Sequence, residues 1–200
     1  MNNKFLGLFL IAIMFATTAA SAAFPLHEAA GEGGVAEVER LLVVGDYKVD
    51  DRDADGNTPL RLAAQHGKKE CVKKLLELGA NADEADKWGN TILHWAVINN
   101  HSDIVTTLLA IGVDVNVADN SGWTPLHMAA RNGYNDIITI LVEGGADVNA
   151  ADKVHGSTPL DFAGFGRHYE SVVKLLQYGA RVHLWNSCDQ CLQENMDAKA

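Results

Sequence analysis

Catalytic signatures are missing from this chain of 200 residues. It holds no G-x-S-x-G and no G-x-G-x-x-G, which sets aside the nucleophile elbow and the dinucleotide turn. Gly67-Lys68-Lys69 lacks the preceding glycine and the following Ser or Thr of a phosphate loop, and His27-Glu28 lacks the second His of H-E-x-x-H. Basic residues are in short supply, 16 against 26 acids, for a formal net charge of −10. Phosphate attraction needs Lys and Arg, so nucleic acid is excluded as the main partner; acidity serves solubility and suits a partner with a basic face. Proline is scarce at four residues, and cysteine scarcer at three.

What is present begins with a separate message. Lys4 and the amino terminus make a short positive end, Phe5 to Ala16 is strongly apolar, and Ala20-Ser21-Ala22 fits an A-x-A cleavage pattern. Residues 1–22 thus read as a secretory signal peptide cut after Ala22. An uncleaved anchor is the competing reading, although the intensely apolar part is short for a membrane span. No Cys follows the small residues, which argues against a lipoprotein. The expectation is an exported protein, periplasmic or secreted, from a bacterial source, with no membrane contact after cleavage.

All four prolines occupy one kind of position: Phe24-Pro25-Leu26, Thr58-Pro59-Leu60, Thr124-Pro125-Leu126 and Thr158-Pro159-Leu160. Thr91-Ile92-Leu93 completes the series, and the Thr positions are spaced by 33, 33 and 34 residues. A fixed period in this range marks a stack of repeated units. The fullest copy is 119–149. Asp119 and Gly122 bracket a tight turn, Thr124 caps a helix with Pro125 at its first position, and Gly133 ends it. Asn135 or Asp136 then caps a second helix with Ile137, Ile138, Ile140, Leu141 and Val142 on its apolar side, stopped by Gly144-Gly145.

Motif and period resemble the ankyrin repeat family, whose T-P-L-H-x-A-A signature and G-A-D-V-N ending both stand in this copy. The resemblance implies an all-α ankyrin solenoid of about five helix-turn-helix repeats joined by β-hairpin-like turns. The repeats span approximately 24–52, 53–85, 86–118, 119–151 and 152–184, within a domain of 23–186, followed by a tail of 187–200. Repeat one needs a polar outer surface, which Glu28, Glu32, Glu37, Glu39 and Arg40 supply. Repeat five departs from the pattern: Asp161 stands where repeats one, three and four have His and repeat two has Arg61, and its turn, Asp152 to Ser157, is one residue longer. Trp185, Leu192 and Met196 could fold over its outer face.

The remaining candidates have plain readings. His27, His94 and His127 share one repeat position. In the family this His bonds neighbouring turns, and repeats about 10 Å apart place two such rings too far apart for one metal ion. Asp51, Asp53 and Asp55 open like a calcium loop, but its twelfth position is Leu62. Cys71 is a small core residue. Cys188 and Cys191, about three repeats away, can form a local disulfide; thiol-disulfide oxidoreduction through this C-x-x-C is an alternative function. No metal or cofactor is expected, and no catalytic set.

The resemblance implies a non-enzymatic module that grips a protein on a concave surface of turn tips and first helices, and a monomer is expected. Positions there that the core does not dictate are Lys87, Trp88, Asn90, Asn99, Asn120, Ser121, Trp123, Arg131, Tyr134, Lys153, His155 and Phe165. Arg131, Tyr134, His155 and Phe165 suit hot spots better than the two tryptophans, which are common at their positions in the family. Two uses follow: an inhibitor or immunity protein of an envelope enzyme, or a secreted effector that binds host proteins.

Overall fold

A computed structural model describes residues 24–182. The proposed signal peptide and the tail with Trp185, Cys188, Cys191, Leu192 and Met196 lie outside the described residues. Within them run ten helices and no strand: α1 Pro25–Glu32, α2 Val35–Val44, α3 Pro59–Gln65, α4 Lys69–Glu77, α5 Ile92–Ile98, α6 Ser102–Ala110, α7 Pro125–Asn132, α8 Asn135–Glu143, α9 Pro159–Phe165 and α10 Tyr169–Gln177. The expected all-α repeat is therefore what forms. The hairpin-like turns close on single rungs, such as Asp119 N–H to the Trp123 carbonyl at 2.9 Å, and no strand extends from them. The D-V-N segment Asp147–Asn149 likewise runs as a turn, not a strand.

Helix starts follow local chemistry. Proline opens α1, α3, α7 and α9, where its missing N–H costs nothing. Thr58, Thr91, Thr124 and Thr158 are extended N-caps of α3, α5, α7 and α9. The second helices behave differently from expectation. The N-cap of α8 is Tyr134, and Asn135 and Asp136 are already helical. Asn135 points sideways instead, and its Oδ1 accepts from the Ser171 hydroxyl of α10 at 2.6 Å.

Residues up to Asp114 and those from Val115 form two compact units. In the first, α1 packs on α3 and α3 on α5, while α2 packs on α4 and α4 on α6. Leu26, Leu60, Leu75, Leu93, Ile104 and Leu108 fill its core. Cys71 is among them, and burial pushes its thiol up to about 11, which leaves it protonated and inert. In the second unit α7 packs on α9 and α8 on α10, around Leu126, Ile137, Ile138, Leu141 and Leu175. Each such side chain contributes about 1.5–3 kcal/mol on burial. Glu28, Glu32, Glu37 and Arg40 are exposed as a cap requires. Glu39 differs: it accepts from Lys74 of α4 at 2.7 Å, so it ties repeat one to repeat two.

Histidines lace the repeats. His127 Nε2–H donates to the Ser157 carbonyl, 30 residues on, at 3.1 Å, while Nδ1 accepts from Thr124 N–H at 3.1 Å. His27 reaches the carbonyls of Asp51 and Asn57 in the same way, but its Nδ1 is buried without a partner. Phe24, which has no hydroxyl, replaces the Thr there, and its ring meets the His27 ring edge-on at 5.5 Å. Asp161 of repeat five keeps only the near half of this role, with Oδ2 accepting from Thr158 N–H and hydroxyl at 2.8 Å each. A carboxylate cannot donate onward to a carbonyl.

Candidate partner-binding groove

The second unit holds an open groove of about 640 Å³, lined by Ser121, Trp123, Arg131, Asp152, Val154, His155, Phe162, Phe165 and Gly166. Two loops and two helices build it. Asp119 holds the first loop, its Oδ1 accepting from Ser121 N–H and Trp123 N–H at 2.8 Å each. Asp152 holds the second, accepting from the N–H groups of Val154, His155 and Gly156 at 2.7–3.1 Å. Lys153 N–H donates to the Ser121 carbonyl at 2.9 Å, which locks the loops together.

The extra residue of the second loop has a visible consequence. Asp119 serves two N–H groups spaced by two residues, whereas Asp152 serves three in succession and turns the loop outward. Val154 and His155 are thereby exposed at the groove's edge. Asp152 as a whole residue is 5% exposed. Burial pushes its pKa up, but the backbone N–H groups of His155, Val154, Ser157 and Gly156 outweigh burial and hold it below the ordinary aspartate value.

Aromatic rings make the floor. Trp123 and Phe162 lie 4.4 Å apart between centroids, Phe162 meets Phe165 edge-on at 6.3 Å, and His127 closes on Phe162 from beneath at 5.7 Å. The Arg131 guanidinium sits 5.0 Å over the Trp123 ring. Phe165 remains 67% exposed, so a large apolar face is held at the surface by its neighbours. Behind it, the His168 Nε2 reaches the Arg131 carbonyl at 2.9 Å, bracing α7 against the start of α10.

Of the positions expected from the sequence, Ser121, Trp123, Arg131, His155 and Phe165 converge here. Asn120 and Lys153 are exposed on the same two loops. Tyr134 does not line the groove; it is the half-buried N-cap of α8. In the first unit, Lys87 lies over the exposed Trp88 ring at 4.3 Å. Asn90 bonds the Asp86 carboxylate, and Asn99 donates to the Trp95 carbonyl at 2.9 Å. Asp152, Val154, Phe162 and Gly166 were not expected as lining. The signals were available, since Phe162 shares a repeat position with Leu62, Trp95 and Met128, and a longer turn must push its tip outward.

Two acids of the triplet near repeat two are engaged by their own loop. Asp53 accepts from Asp55 N–H, Asn57 N–H and the Asn57 amide at 2.8–2.9 Å, and Asp51 accepts from Lys48 N–H at 2.7 Å. Among the described residues no group of three or more His, Cys, Asp or Glu converges as metal ligands would.

Stacked helix pairs, capped by Thr, laced by His and presenting loops on one side of α7 and α9, define a helical-repeat interaction scaffold. A family model described as Ankyrin repeats (3 copies) matches residues 26–119 and 108–185. The chain belongs to the ankyrin repeat family, whose members are generally non-enzymatic interaction scaffolds and bind protein partners.

Proposed function

We propose that this chain is an exported, non-enzymatic module that binds a partner protein through the groove of its second unit. The observation that carries this reading is the exposed Phe165 beside Arg131 and Trp123, held in place by ring packing on one side and loop hydrogen bonds on the other. Aromatic and Arg side chains that are ordered before contact lose little freedom on binding, which is what makes hot spots. Export is supported by the apolar run Phe5–Ala16 followed by Ala20-Ser21-Ala22. A preformed grip and an exported destination together suit an inhibitor or immunity protein of an envelope enzyme. The test is a photocrosslinker (p-benzoylphenylalanine) in place of Phe165 in the native organism. A single crosslinked envelope protein is expected, with the mature chain beginning at Ala23 by mass. Absence of any crosslink there, with one formed from position 88, would move the site to the first unit.

A further inference from the structure

The exposed charge of the groove lining is Arg131, since the one acid there, Asp152, is buried under its own loop. Seven ion pairs stand in the first unit. None of Arg131, Lys153, Arg167, Lys174 and Arg181 in the second unit has a carboxylate partner among them. Lys174 is satisfied by the Thr139 hydroxyl at 2.8 Å. Arg131 lines the groove, Lys153 stands on its loop, and Arg167 follows the lining residue Gly166. The acids nearby are committed inward: Asp119 and Asp152 to their own loops, and Asp161 to Thr158. Arg131, Lys153 and Arg167 are thus more exposed than the hydrogen-bonded acids near them, and they stand beside an exposed phenylalanine and an exposed valine.

We infer that the groove recognises a protein segment carrying a carboxylate a few residues from an aliphatic or aromatic anchor. This rests on the reading of the groove as a docking site and adds the chemistry of its occupant. The anchor lies on Phe165, Phe162 and Val154, and the carboxylate reaches the Arg131 guanidinium and the His155 imidazole. Charge complementarity decides the sign, and it reverses the expectation of a basic partner drawn from the net charge of −10. Net charge acts at long range and is screened within about 8 Å at physiological salt, so at contact distance Arg131 outweighs it. The same −10 disfavours a nucleic-acid strand, whose many phosphates sample the whole surface and not one patch.

The test uses the full chain and fluorescein-labelled peptide pools in a Gly/Ser/Ala background, each with one fixed Leu and, a few residues away, Asp, Asn or Lys. Anisotropy reads binding. The Asp pool is expected to bind at least about tenfold more tightly than the Asn pool, as a charge-assisted contact requires. Arg131→Gln and, separately, His155→Ala are expected to narrow that ratio at unchanged melting temperature, while Lys73→Gln leaves it intact. Equal binding of the Asp and Asn pools, weakened by Phe165→Ala, would overturn the acidic anchor and keep the docking site. Preference for the Lys pool, or displacement by a short oligo(dT), would overturn it outright. Silence of all pools while the position-165 crosslink still forms removes the acidic anchor alone; silence in both experiments removes the groove as a docking site.

Discussion

His127 serves two repeats with one ring, and its neutral Nε2–H tautomer is the form that fits both contacts. Burial pushes its pKa below the usual 6.5, against the Ser157 carbonyl and the Asp152 charge, which raise it. The unfolded chain therefore takes up this proton near 6.5 and the folded chain only at lower pH. The contribution is complete above that pH and is lost as pH falls beneath it. A melting-temperature series is expected to be flat from pH 8 to about 7 and to decline below about 6.5, with His127→Gln flattening the decline. His127→Ala is expected to cost about 2–4 kcal/mol in urea unfolding, since it leaves Ser157 unpaired and opens a cavity.

Glycine 166 carries a second expectation. Its φ of −71° suits any residue, so no strain arises from the backbone. An added Cβ would sit 2.5 Å from the His168 ring and 3.0 Å from the Arg131 carbonyl. Gly166→Ala is expected to cost about 1–3 kcal/mol through displacement of that brace. The first histidine row was legible because it sits inside the T-P-L-H motif. The second was not: His101 reaches the Gln65 carbonyl at 3.0 Å and His168 the Arg131 carbonyl at 2.9 Å, from N-cap positions that carry no motif of their own. Gly133 was read only as a helix stop, with φ of 72°. Its second role, leaving room for the His168 ring, depends on a contact between residues 35 apart that periodicity does not encode.

Elements were easier to read than loops. Periodicity and the Thr-Pro pairs place each helix, because caps and apolar spacing are local. The cap of α8 lies one or two residues before the expected cap at Asn135 or Asp136, because Asn135 resembles a cap but bonds Ser171 instead. The loop at 152–157 is where length becomes shape. Asp152→Ala would remove the acceptor for three N–H groups, and a cost of about 2–3 kcal/mol is expected, with faster amide exchange at Val154, His155 and Gly156. Asp152→Asn keeps one acceptor oxygen and is expected to lose less. Much of the groove could be foreseen singly, as Trp123, Arg131, His155 and Phe165, because they stand where the core makes no demand. That they converge depends on how two loops and two helices come together, and Tyr134 stands apart as the N-cap of α8.

At the scale of the molecule, charge is unevenly arranged. The exposed ion pairs of the first unit, such as Arg40–Glu37 and Lys73–Glu70, are each worth about 0–1 kcal/mol and are screened by salt. Raising salt is therefore expected to change stability little. Partner binding through Arg131 should weaken noticeably in the same titration. Stability resides in stacked apolar faces, while recognition resides in a few side chains those faces do not specify.

The most direct measurement is paired affinity capture from envelope extracts of the native organism, with the mature chain 23–200 as bait. Arg131→Ala/Phe165→Ala and Lys87→Ala/Trp88→Ala versions run beside it. The expected result is one protein retained by the unaltered chain and by the Lys87/Trp88 version, and lost from the Arg131/Phe165 version. Retention by the Arg131/Phe165 version, or loss from the Lys87/Trp88 version alone, would contradict the assignment of partner binding to the groove of the second unit.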